Sequence, residues 1–134
     1  VDFQTRTNPF YREAVRRVHA GELGRLVSGE AHYPWQGNAH DVAIAKPSDR
    51  LRYWYQTLAL SGDVIVEQDI HALDVATWFI GADPIEAHGT CGRAIRVHGS
   101  IHDHFSVTYR FPNDLVLTFT SVKAIPGVVD VELV

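Results

Sequence analysis

The sequence predicts an α+β domain: a mostly antiparallel open sheet with helices on one face. Three observations predict it. Helical periodicity fills the stretches before Gly81, period-2 alternation and β-branched runs fill those after Pro84, and 134 residues, 46% of them apolar, suffice for a single core.

The elements follow in chain order. "NPFYREAVRRVHAGELG" offers Asn8 as a cap, Pro9 in the first turn, Phe10, Ala14, Val15 and Val18 as a stripe, and Gly21 as a stop, so it predicts a helix. "RLVSGEAHYPW" alternates, with Val27, Gly29, Ala31 and Tyr33 on one side and Ser28, Glu30 and His32 on the other, which predicts a half-buried strand. From Pro34 to Arg50 no period holds; a loop this long in a compact domain moves or builds a site. "RLRYWYQTLALSGD" predicts a short helix ending near Gly62. "VIVEQDIHALDVATWFIG" predicts the central helix, with Ile70, Leu73, Thr77 and Ile80 at helical spacing and Gly81 as its stop, although "VIV" by itself also reads as a strand. "PIEAHGTCG", "DHFSVTYRF", "DLVLTFTSV" and "GVVDVELV" predict strands, and "FPNDL" a hairpin turn from Phe111 to Leu115. Phe105, Val107, Tyr109 and Phe111 beside Leu115, Leu117 and Phe119 make the face that the helices cover. The other face carries Val116 and the "GVVDVELV" run, and an uncovered face and edge of this kind predict a homodimer or larger assembly.

A net charge of -4 and twelve basic residues, of which only Arg16 and Arg17 are adjacent, supply no electrostatic reason to bind a polyanion, so nucleic acid is not an expected partner. Cys91 stands alone, which forbids an intrachain disulfide and fits a cytoplasmic location; in its strand pattern it reads as a small core residue. No apolar run approaches the roughly 18 residues of a membrane span, and no targeting segment is expected. The chain has no methionine at all, which predicts a missing upstream segment.

Chemistry concentrates in "EQDIHALD". On an unbroken helix Glu67, His71, Asp74 and Trp78 share one face, polar where a core stripe would be apolar. A carboxylate beside an imidazole favours imidazolium and orients the ring, as a proton-transferring histidine needs. The competing reading is a solvated face with an ordinary ion pair. A metal reading lacks a further ligand. "HGSIHDHF" places His98, His102 and His104 together, an H-x-H strand geometry that metals use and that polar turns also show without any role. Trp35 and Trp54, in or beside the long loop, could stack on a sugar ring or pin the loop. No G-x-G-x-x-G and no G-K-[ST] occurs, so the sequence has no phosphate cradle for a dinucleotide or nucleotide.

With those motifs in view, the chain resembles the second, substrate-binding domain of the Gfo/Idh/MocA superfamily, the glucose-fructose oxidoreductase and inositol dehydrogenase group. "VDFQTRTNPFYREAVRRVHAGELGRLVSGEAHY" is similar to that domain's opening segment, a G-F-Q-x-R-x-N-P start followed by a helix, the phrase G-E-[IL]-G and an outgoing strand. "SGDVIVEQDIHALDVATWFIGADPIEAHG" is similar to its signature helix, and "DHFSVTYRFPNDLVLTFTS" to its hairpin.

The resemblance implies an NAD- or NADP-dependent oxidoreductase of two domains acting on a sugar, cyclitol or related polyol. It places the proton-transfer role on His71 and the acidic partner on Glu67, where many members carry Asp. Asp69, at a position often held by a small residue, becomes a candidate substrate contact, and Arg6 and Asn8 would lie near the substrate and cofactor edge. "AKP", Ala45 to Pro47, looks like the family's first-domain lysine motif but falls in the substrate-domain loop, so that role does not pass to Lys46.

Residues 1–134 are accordingly expected to be one substrate-binding or dimerisation domain. They form a fragment whose Rossmann domain is absent and which alone binds no cofactor. Two alternatives stand: a non-enzymatic sugar-binding or dimerisation module, and a relative that uses the redox pair for elimination or glycosidic cleavage.

Overall fold

The computed structural model describes residues 2–36 and 41–124, so the predicted "GVVDVELV" strand lies outside the described residues. After a 3₁₀ turn at Gln4–Thr7 comes α1 (Pro9–His19). Its first free donor is satisfied as the sequence predicts: the Phe10 N–H donates to Asn8 Oδ1 at 2.9 Å, with Pro9 at the start. Of the predicted stripe, Ala14, Val15 and Val18 turn inward and Phe10 does not. Phe10 is 75% exposed, and the stripe centres on buried Val15, flanked by half-buried Tyr11 and Val18. Positions 11 and 18 lie four before and three after 15, on its face; position 10 does not.

β1 (Ser28–His32) and the short β2 (Trp35–Gln36) both pair in parallel with β5 (Val116–Ala124). β5 pairs antiparallel with β4 (His104–Arg110), and β4 with β3 (Glu86–Gly92). The strand order is β1-β5-β4-β3. The sheet is therefore mixed: antiparallel through its later strands, as predicted, and parallel at β1 and β2. Those two reach β5 only across the whole helical layer, a connection long enough to reverse the chain.

The predicted loop from Pro34 to Arg50 ends inside a helix, α2 (Pro47–Arg52), where Asp49 accepts the Lys46 N–H at 3.0 Å. The short helix predicted to end near Gly62 is split into the end of α2, a 3₁₀ turn at Trp54–Gln56 and α3 (Leu58–Ser61). Gly62 closes α3 at φ 71°, the left-handed conformation that suits glycine.

The central helix is also two pieces, α4 (Val64–Glu67) and α5 (Ile70–Ile80), with Gly81 closing α5 at φ 73°. At the junction the Asp69 N–H reaches back five residues to the Val64 carbonyl at 2.9 Å, and the Ala72 N–H reaches back only three, to Asp69 at 3.0 Å. A wide turn followed by a tight one breaks the regular helical register.

α5 lays Ala72, Leu73, Ala76 and Ile80 against the sheet. There Phe105 and Phe119 join Val64 and Ile101 in one buried cluster, and Phe111, Leu115 and Leu117 form another. Leu73 and Ile80 keep the places expected of them. The opposite face of the sheet carries hydroxyls at its centre, Thr108 across from Thr118 and Ser106 from Thr120, with His32 Nδ1 2.7 Å from Thr120 Oγ1, and Val116 and Val122 towards its ends.

Candidate functional site

α5 carries His71 into the wall of a cavity of about 520 Å³ bounded by α1, α5 and β1. Most of that wall is apolar, as Val18, Val75, Phe79 and Leu117 show, and Thr5, Glu30 and His32 supply polar groups. His71 is half-buried, with the Phe3 ring edge-on at 6.2 Å. Its seat is set by α5 itself: positions 71, 72, 75, 76 and 79 recur at helical spacing and line the same cavity.

Glu67 opens elsewhere. It lines a cavity of about 110 Å³ with Tyr55, Gln68, Arg96 and Lys123. No hydrogen bond or ion pair joins it to His71, both being described residues, although four positions separate them. The expectation of one continuous face fails at the broken register of Gln68 and Asp69.

The break has a physical cause. Asp69 is 0% exposed and its Oδ1 lies 2.7 Å from Lys123 Nζ, itself 3% exposed. The Lys123 ammonium also donates to the Tyr33 carbonyl at 3.3 Å and sits 4.2 Å over the Tyr33 ring. Burial pushes the Asp69 carboxyl up and the Lys123 ammonium down, each opposed by the other's charge. Turning Asp69 inward to this pair takes the helix off its regular course, and it places Asp69, a candidate substrate contact by sequence, in the interior.

The remaining predicted residues separate. Arg6 makes a forked contact with Asp74, Nε at 3.0 and 2.9 Å and Nη2 at 2.7 Å, and lies 5.2 Å over the Trp78 ring, so it ties the opening segment to α5. Asp74 and Trp78 thus share a face, as the spacing implied, and spend it on Arg6. Asn8 caps α1 and is exposed. Trp54 is 43% exposed, edge-on to Tyr55 at 6.3 Å. Trp35 starts β2, and its side chain lies outside what the structure describes.

Two carboxylate–imidazole pairs form where the sequence pointed only to a cluster of histidines. His102 Nδ1 is 2.5 Å from Asp63 Oδ2, and His104 Nδ1 is 2.7 Å from Asp103 Oδ1. Each ring is claimed by its own carboxylate, and among the described residues no group of three metal-ligating side chains converges. Asp103 is fully buried and accepts N–H groups from Ala94, Ile95 and Arg96; burial pushes its carboxyl up, but the Arg96 and Ile95 N–H groups, then His104 and Ala94, hold it down at about 2. Lys123 did leave a trace in sequence: Leu117, Phe119, Ser121 and Lys123 alternate onto the inward face of β5, and an inward lysine needs a partner.

The sequence pattern of the GFO/IDH/MocA C-terminal domain matches residues 11–133. The chain is 29% identical over 91 residues to scyllo-inositol 2-dehydrogenase (NAD(+)) of Bacillus subtilis, covering 66% of this chain and 22% of that protein. Its fold is shared by aldose-aldose oxidoreductase from Caulobacter crescentus, with TM-score 0.69 and 19% identity over 90% of this chain and 33% of the other. A super-repressor mutant of Gal80p from Saccharomyces cerevisiae shares it too, with TM-score 0.72 and 12% identity over 93% of this chain and 35% of the other. The chain thus spans about a fifth of the curated relative and about a third of these structures.

Proposed function

From the premise that this chain belongs to the GFO/IDH/MocA family as its C-terminal domain, we propose that it is the substrate-binding half of an NAD(P)-dependent oxidoreductase acting on a sugar, cyclitol or related polyol. His71 moves the hydroxyl proton, and Glu67 acts on the same substrate from the neighbouring cavity rather than through a bond to the imidazole.

The position of His71 carries the reading. Oxidising a secondary alcohol requires a proton to leave its oxygen, and a half-buried imidazole on a rigid helix at the wall of a cavity of about 520 Å³ is a group that can accept it. That volume lies within the roughly 300–1,000 Å³ that holds a small ligand. The curated relative's name couples an inositol with NAD(+), which supports the substrate class.

The dinucleotide does not fit the residues present. The sequence has no Gly-rich cradle, and among the described residues no positive-φ glycine stands between a strand and the helix after it. NAD or NADP belongs to a separate dinucleotide-binding domain. The same reading includes a homo-oligomer formed through the uncovered sheet face and a cytoplasmic location; among the described residues no helix is long and apolar enough to cross a membrane.

A second reading, a module without redox activity, is favoured by the separation of Glu67 from His71 and by a fold shared with a repressor, since fold does not determine chemistry. One experiment decides. In the chain joined to a dinucleotide-binding domain, His71→Ala lowers kcat by about 10²–10⁴-fold while the melting temperature stays near wild type. A folded His71→Ala enzyme with full turnover overturns the catalytic assignment.

A further inference from the structure

We propose that Phe3 is a positioning residue for the proton transfer assigned to His71: the opening strap, residues 3–7, is fastened along α5 and lays the Phe3 ring against the imidazole, fixing the direction in which that ring meets its substrate. The proposal rests on the catalytic reading of His71 above and adds to it a second residue that acts through the first.

The imidazole needs an external hold. A histidine ring turns about two side-chain bonds, and the second is broad and roughly two-fold, so packing or a hydrogen bond must choose its orientation. His102 and His104 are fixed at Nδ1 by Asp63 and Asp103, at 2.5 and 2.7 Å. His71 has no such partner: among the described residues no group hydrogen-bonds to its ring. What meets it is Phe3, with ring centroids 6.2 Å apart and planes at 82°. Rings at this separation and angle attract edge to face, so the contact favours one orientation of the imidazole over others.

Phe3 serves as a buttress because it is itself held. Its carbonyl accepts the Arg6 N–H at 3.0 Å, closing the 3₁₀ turn, and the Thr7 hydroxyl donates to the Gln4 carbonyl at 2.7 Å. Arg6 then carries the turn onto α5 through its fork to Asp74 and its place 5.2 Å over the Trp78 ring. His71, Asp74 and Trp78 follow at i, i+3 and i+7 on one helix face. The strap therefore touches that face at two levels: Arg6 at Asp74 and Trp78, and Phe3 one turn earlier at His71. A planar fork is specific in direction as well as strong, which limits how far the turn can swing.

The fold does not depend on this ring. Phe3 is half-buried and belongs to neither buried cluster of the core, so its effect is local. Proton transfer needs donor and acceptor within about 2.6–3.2 Å, and a displacement of about 1 Å can cost roughly 10²-fold in rate, so loosening one ring that has no hydrogen bond of its own is enough to show in turnover.

Two measurements test the proposal. In NMR spectra of the isotopically labelled chain, Phe3→Leu, which keeps apolar bulk without a ring, shifts the His71 ring signals and leaves those of His102 and His104 in place; Phe3→Tyr restores them. His71 signals unmoved by Phe3→Leu, or histidine signals that all move together, overturn the contact. In the chain joined to a dinucleotide-binding domain, with myo-inositol and NAD as probes, Phe3→Leu lowers kcat about tenfold, KM stays within about twofold, the melting temperature stays near wild type, and Phe3→Tyr recovers turnover. In the His71→Ala background Phe3→Leu costs nothing further, because it acts only through that ring. Full turnover in Phe3→Leu beside a crippled His71→Ala overturns the positioning role and leaves the catalytic reading standing. A fully active His71→Ala enzyme overturns both, while the NMR shifts still report the contact. A rise in KM alone, or an undiminished loss in the His71→Ala background, also overturns the proposal, since Phe3 would then act on the substrate or the fold.

Discussion

His71 and Glu67 stand four residues apart in the central helical segment and do not meet, whereas His102 and Asp63 stand 39 residues apart and hydrogen-bond at 2.5 Å. Proximity at i,i+4 is a property of unbroken helix, and here the helix is broken between the two residues. Proximity of His102 to Asp63 belongs to the fold. Asp63 accepts the Val64 N–H at 2.8 Å and the His102 N–H at 2.9 Å besides the ring, from a backbone at φ 82° and ψ 170°, a region nearly confined to glycine. Strain of this kind persists where surrounding bonds over-determine it, and three contacts to one carboxylate do so. The lesson is that a carboxylate–histidine spacing is informative only once the intervening backbone is known.

The largest expected effect attacks the cause of the break. Lys123→Met or Asp69→Ala alone leaves a buried charge unpaired and should cost about 3–5 kcal/mol in urea unfolding. Replacing both, Lys123→Met with Asp69→Asn, should recover most of the loss. A single variant as stable as wild type would mean that the pair does not shape the junction.

Next comes the pair that does form. Asp63→Ala removes an acceptor from the buried Val64 N–H, from the half-buried His102 N–H and from the His102 ring while keeping an unfavourable φ, and should cost about 2–3 kcal/mol. Asp63→Gly relieves the backbone and loses the same bonds, so it should fall between Asp63→Ala and wild type. If Asp63→Gly matched wild type, the bonds to His102 and Val64 would be worth nothing net.

The neighbouring pair predicts an acid limb. The folded Asp103 carboxyl is held at about 2, below the ordinary aspartate value of about 3.9, so its stabilisation is fully present above pH 4 and fades as pH falls towards 2. The amount is about 2 kcal/mol. Asp103→Asn should remove that limb from a plot of unfolding free energy against pH, and a limb unchanged in the variant would assign it to other carboxylates.

What was legible in the sequence was local. Asn8 and Pro9 mark the start of α1, Gly62 and Gly81 mark helix ends, and alternation in "DHFSVTYRF" and "DLVLTFTSV" sets both strands and their inward faces. The parallel course of β1 was not legible, because its partner, β5, lies across the helical layer. Nor was the broken helix, whose cause, Lys123, comes from a different strand; only its inward phase hinted at a buried partner. The same holds for the site: His71 reaches a cavity wall because α5 is regular from Ile70 onward, and Glu67 is lost to that face because the irregularity at Gln68 and Asp69 falls between the two residues.

The smallest expected effect completes the comparison. Glu67 is half-exposed and makes no hydrogen bond or ion pair among the described residues, so Glu67→Gln, which keeps its shape, should change unfolding free energy by no more than about 0.5 kcal/mol. Asp63→Asn makes the same chemical change on a buried carboxylate that holds three donors, and it should cost several times as much. Urea unfolding of the two variants side by side therefore reads the contrast between the two histidine regions directly. Equal losses would mean that Glu67 carries a bond comparable to Asp63's, and the two regions would cease to differ in the way the structure shows. A silent Glu67→Gln beside a costly Asp63→Asn leaves Glu67 free of any stabilising duty, which is the condition under which its place in the small cavity can be assigned to binding.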